Sequence, residues 1–175
     1  TIPRNASYMS PKYQNEMIGN LAALISEEVV RELGDNWYTI MCDGTRDTVG
    51  IENIAIVLRY VDAEATVHER LLCIANSDRL DAEGITDIIL NSLDKHHIRL
   101  DRMLAQCYDG AAVMSGRIGG VQTLIQQHLQ RPVPYIHCCN HRLHLVVQYA
   151  VSSNASVASF FNICQQLFNF FRRPT

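Results

Sequence analysis

The chain has 175 residues, a net charge of −3, 47% apolar and 19% charged residues, enough for a packed core and too apolar for a disordered chain. No apolar run reaches the roughly 18–20 residues of a membrane-spanning helix. The acidic balance argues against a free-standing domain that grips phosphates, which is ordinarily basic.

The N-terminus has neither an apolar signal stretch nor an initiator Met, so the chain is expected to be cut from something longer. Ser10-Pro11 reads as a helix start, with Ser at the cap and Pro in the first turn. Met17, Leu21, Leu24, Ile25, Val29 and Leu33 continue it with helical spacing until Gly34, so a leading helix occupies 1–35. The period then changes. Trp37–Cys42 is a short β-rich run that ends in Asp43-Gly44. Asn53–Val61 and Thr66–Ala75 are two more strands, joined by a short polar link suited to a hairpin. Asp81–His96 is an amphipathic helix with acids at its start. Met103–Cys107 is a fourth strand, followed by Tyr108-Asp109-Gly110. A helix over about 119–129, a short strand at Tyr135–Cys138 and helices over roughly 140–151 and 157–171 complete the order.

Three meandering strands followed by crossovers predict a single-domain α/β fold, 1–175, a three-layer mixed sheet with helices on both faces and strand order 3-2-1-4-5. In that order the first and fourth strands are parallel neighbours, and Asp43 and Asp109 directly follow their carboxyl ends. Reactive groups collect there in open α/β sheets. Paired carboxylates suit Mg²⁺ or Mn²⁺, and two such ions support phosphodiester cleavage. Asp-Gly as a plain turn after a strand is the alternative at either position.

Three segments carry a resemblance: Cys42-Asp43-Gly44-Thr45-Arg46-Asp47; Gln106-Cys107-Tyr108-Asp109-Gly110-Ala111-Ala112-Val113-Met114-Ser115-Gly116; and His137-Cys138-Cys139-Asn140-His141-Arg142-Leu143-His144-Leu145. In order and spacing the chain resembles the hAT superfamily of DNA transposases. More narrowly, it resembles the domain of unknown function that accompanies the hAT dimerisation region in TTF-type and MYM-type zinc-finger proteins. The resemblance implies an RNase H-like core with Asp43 and Asp109 as the first two catalytic, metal-holding acids of a two-metal Mg²⁺ or Mn²⁺ site. Cys138 and His141 correspond to the family's Cys-x-x-His motif, near the DNA strand. The third acid, a Glu, is expected beyond Thr175, as are a DNA-binding zinc finger and a C-terminal segment through which the parent forms homo-oligomers.

The implied activity is metal-dependent DNA cleavage and strand transfer in the intact parent, on transposon ends and target DNA. An inactive, transposase-derived module for DNA or protein interaction is the alternative. A nucleotide-binding enzyme lacks support, because Gly116-Arg117-Ile118-Gly119-Gly120 fits no phosphate-loop fingerprint. Arg46 is a candidate phosphate contact, or a solvated partner of Asp47. The dense His137–His144 cluster holds ligand types for zinc but no second separated pair, so zinc is not expected. The five Phe of the C-terminal helix read as core, packed on the sheet or on an insertion domain beyond the chain, and as a sticky patch if left bare. Six cysteines without a secreted-type framework point to a reducing compartment, and the resemblance to the nucleus.

Overall fold

The structure, a computed structural model, describes residues 10–46 and 52–172. The chain divides into two compact units, residues 1–136 and 137–175.

In the first unit, α1 (Pro11–Leu33) starts behind Ser10, with Pro11 in a turn where its missing N–H costs nothing. Gly34 ends it at φ 50°, donating its N–H to the Val30 carbonyl at 3.0 Å. Only Val29 and Leu33, in the last turns, are buried. Polar bonds anchor that same end. The Glu32 carboxylate accepts from Arg70 Nε at 2.9 Å and from the Tyr60 hydroxyl at 2.8 Å. These bonds, Arg70 first, hold the Glu32 carboxyl below its ordinary range. Ser26 Oγ donates to the Leu72 carbonyl at 2.9 Å.

The strands are β1 (Tyr38–Arg46), β2 (Glu52–Val61), β3 (Val67–Ser77), β4 (Met103–Tyr108) and β5 (Tyr135–His137). They form one sheet in the order β3-β2-β1-β4-β5. β1 runs antiparallel to β2 and parallel to β4, and β2 runs antiparallel to β3. This is the mixed α/β sheet that the meander and crossovers predict. The hairpin between β2 and β3 turns on Asp62, whose carboxylate accepts the N–H groups of Glu64 and Thr66 at 3.0 and 2.7 Å. Ala65 takes the left-handed conformation there, φ 62°.

α2 (Ala82–Lys95) is capped by Asp81, which accepts the Gly84 N–H at 2.9 Å. It packs Ile85, Ile89 and Leu93 against Ile40, Ile56 and Leu58 of the sheet, joined by Val121 and Ile125 of α4 (Val121–Leu129). Each fully buried aliphatic side chain here stabilises the fold by roughly 1.5–3 kcal/mol. One turn of helix, α3 (Ala112–Ser115), not foreseen in the sequence, follows Asp109. Buried Gln106 ties β4 to its surroundings, donating to the carbonyls of Gln122 and Val133, both at 2.9 Å.

The second unit holds α5 (Cys139–Ser152) and α6 (Ala155–Arg172). None of its described residues is buried. Of the alternatives read for the C-terminal phenylalanines, the structure shows the bare patch: Phe160, Phe161, Phe168, Phe170 and Phe171 are all exposed. Two helices alone have no third surface on which to close an apolar face. Among the described residues no helix is long and apolar enough to cross a membrane.

Candidate carboxylate site

The parallel pairing of β1 and β4 fixes where the two aspartates stand. Its last partners are Met41 and Cys107. Asp43 lies two residues beyond the first and Asp109 two beyond the second, so both reach the same height at one end of the sheet. The sequence reading ended the first strand at Cys42. Here β1 continues to Arg46, because β2 goes on pairing along its other edge, with Asp43 opposite Ala55. One carboxylate therefore rises from a strand and the other from the turn after a strand.

Asp43 and Asp109 line one cleft of about 180 Å³, room for several waters at ~30 Å³ each. Asp43 is exposed and Asp109 half-buried. A larger groove, about 870 Å³, runs between α1 and β3 but contains neither aspartate. Chemistry rather than size singles out the smaller cleft.

The Asp109 turn is held from both sides. Its carboxylate accepts the Ala111 N–H at 3.2 Å, and its carbonyl accepts the Tyr135 hydroxyl at 2.7 Å. Ser115 Oγ bonds the carbonyls of Gly110 and Ala111, each at 3.0 Å. Tyr135 also stacks on buried Tyr108, ring centroids 6.1 Å apart. The turn is thus tied to both the fifth strand and the following helix.

A third carboxylate borders the same cleft: Glu52, the first residue of β2. A Cβ on Gly44 would stand 3.1 Å from Glu52 Oε1, so the glycine leaves the space into which this carboxylate leans. The sequence reading passed over Glu52. A signal was present, since strand alternation puts it in phase with the buried Ile54 and Ile56. An acid at a core-phase position at a strand mouth is unusual enough to mark.

Residues 1–120 match the family model described as DUF4371, ZMYM1/FAM200, RNase-like domain. The chain belongs to this family. The match takes in Asp43, Glu52 and Asp109, and the five-stranded mixed sheet agrees with an RNase-like domain.

The other candidates of this DUF4371 domain are Cys138, His141 and Arg46. Cys138 and His141 belong to the second unit, beyond the matched residues. Cys138 occupies the N-cap of α5, its carbonyl accepting the Arg142 N–H at 3.1 Å. His141 sits in the first turn, its ring stacked on that of His137 with centroids 5.5 Å apart. Arg46 ends β1 opposite Glu52 in register; its side chain, and the whole of Asp47, lie outside the described residues.

The oxygen donors at the cleft are hard, as Mg²⁺ and Mn²⁺ require. Among the described residues, no group of three or more His, Cys, Asp or Glu is arranged to hold a metal ion. Mg²⁺ commonly keeps several waters and takes only one or two protein carboxylates, and Asp43 and Asp109 both line this cleft.

Proposed function

We propose that this RNase-like domain derives from a hAT-type DNA transposase and that Asp43 and Asp109 are its metal-holding pair, for Mg²⁺ or Mn²⁺, in a parent that cuts and joins DNA. The observation that carries this reading is the shared level of the two aspartates beyond β1 and β4, on one cleft. A bound ion would supply charge stabilisation at the attacking and leaving oxygens of a phosphodiester. The chain's own contribution is placement. β1 holds Asp43 on a paired strand, while the bonds from Ala111 and Tyr135 hold the Asp109 turn at the same level. Cys138, His141 and Arg46 are assigned to the DNA side of this reading, and the nucleus to its location.

A second reading, a binding module without chemistry, is favoured by the lack of a complete three-ligand group among the described residues. Titration with Mn²⁺ separates the two. The catalytic-core reading expects weak binding that falls at least about ten-fold in the Asp43→Asn/Asp109→Asn double variant. Equal titrations for the two proteins would remove the metal site and leave the binding module.

A further inference from the structure

The acidic balance of the chain is not spread evenly. All 18 Asp and Glu lie at or before Asp109, with ten of the 15 Lys and Arg, so residues 1–109 carry −8, whereas residues 110–175 hold five Arg and no acid and carry +5. Within the first unit, the acid-free part is the loop and helix behind the Asp109 turn. α4 buries Val121 and Ile125 in the core. Gln122, Gln126, Gln127 and Gln130 line a groove of about 560 Å³ together with Arg117, before the helix, and Arg131, after it. Among the described residues no acid lines this groove, and neither arginine enters an ion pair. Arg131 is fixed in place, its Nη2 donating to the carbonyls of Leu100 at 3.0 Å and Met103 at 2.6 Å. Arg117 is exposed, on a loop pinned at its base, where the Gly120 N–H and Thr123 Oγ1 both donate to the Gly116 carbonyl, at 3.1 and 2.9 Å.

We propose that this groove takes the sugar-phosphate backbone of a DNA duplex, with Arg117 and Arg131 on phosphates and the glutamine amides between them. Segregation of charge selects a polyanion, because a domain that is acidic as a whole attracts one only where its acids are absent. The lining selects a backbone over a compact anion: two cations separated by neutral amides suit charges repeated along a strand, and Arg and Gln are both common partners of phosphate and sugar. The length agrees. Nine residues of α4 rise about 13 Å, the axial span of roughly four nucleotides of one strand. Direction agrees as well. Arg131 bonds Met103, where β4 begins, and the Gln122 carbonyl bonds Gln106, further along it, so the groove runs toward the end of β4 that leads to Asp109. The choice of DNA among polyanions rests on the transposase-derived reading above, whereas the groove itself needs no metal ion.

Fluorescence anisotropy of a labelled 20-base-pair DNA duplex with the chain, in EDTA and low salt, tests the groove. Binding is expected with a Kd on the order of 10 µM. Arg117→Glu and the Gln127→Glu/Gln130→Glu double variant should each weaken it at least about ten-fold, and Arg117→Gln should reduce the salt slope by about one. These side chains are exposed, so circular dichroism of the variants should match the native chain. Arg31→Glu, the same change of charge on α1, should weaken binding less than about two-fold. The Asp43→Asn/Asp109→Asn double variant should bind at least as well as the native chain in EDTA, which separates this inference from the metal site. A native chain that leaves the duplex unbound, or equal losses for Arg117→Glu and Arg31→Glu, overturns the groove. Polyglutamate that displaces the duplex at equal charge concentration overturns DNA as its occupant.

Discussion

The helices of residues 82–129 and those of residues 139–172 start from similar material and end differently. α2 and α6 each carry an apolar stripe at helical spacing. α2 buries its stripe of Ile85, Ile89 and Leu93 beneath the sheet, while α6 exposes Phe160, Ile163, Leu167 and Phe171. The difference lies in what stands opposite, a five-stranded sheet in one case and a single helix in the other. An amphipathic pattern reports what a helix needs from its surroundings, and the surroundings decide whether the need is met.

The contrast can be broken by substitution. Ile89→Ala should destabilise the first unit by about 2–5 kcal/mol, because it opens a cavity in a filled core. Phe161→Ala, the larger truncation, should change stability by less than about 0.5 kcal/mol. Urea melts of both variants measure this, and equal losses would show that α6 is as well covered as α2. A smaller effect probes backbone packing beside the site. A Cβ at Gly120 would fall 2.4 Å from the Gly116 nitrogen, so Gly120→Ala should cost about 1–3 kcal/mol as the turn into α4 shifts. The same melts read it, and an unchanged midpoint would mean that the turn yields freely.

Acid separates the two units with the smallest effect. Residues 137–175 contain no Asp or Glu, so carboxylate protonation acts on the first unit. Asp62 is held below its ordinary 3.8 by its bond to His68, at 2.7 Å, and by the Thr66 and Glu64 N–H groups. A carboxyl lowered in the folded state contributes stability that is present above 3.8 and lost as pH falls through the folded value. Native chain and Asp62→Asn should therefore differ in thermal midpoint at neutral pH and converge toward pH 3. A gap that stays constant down to that pH would locate the effect outside the Asp62 charge.

Much of the first unit is legible in the sequence because each signal there is local. Pro11 and Gly34 bracket α1, alternation marks β2, and Asp81 caps α2. The placement of Asp43 and Asp109 follows from strand order alone, since both come two residues after the paired ends. What escaped depends on partners. The sequence of β1 has a turn-like Asp43-Gly44, and only pairing with β2 carries the strand through it to Arg46. Glu52 became part of the cleft because Gly44 across the hairpin leaves it room. The exposure of the C-terminal phenylalanines was unreadable for the same reason: apolar content does not say whether anything lies across from it.

The strand beneath the candidate site also carries a buried thiol. Cys42 is 9% exposed, and burial pushes its thiol far above the ordinary range, whereas Cys139 and Cys164 are exposed. Only thiolate reacts with an alkylating reagent. In the folded chain the exposed pair is therefore consumed first, and Cys42 waits for β1 to come away from its neighbours. Its labelling rate is a clock on that event. Because Cys42 adjoins Asp43, the clock times the breathing of the strand that carries the first carboxylate, and a ligand that seats at the cleft and steadies β1 slows it without any chemistry having to occur.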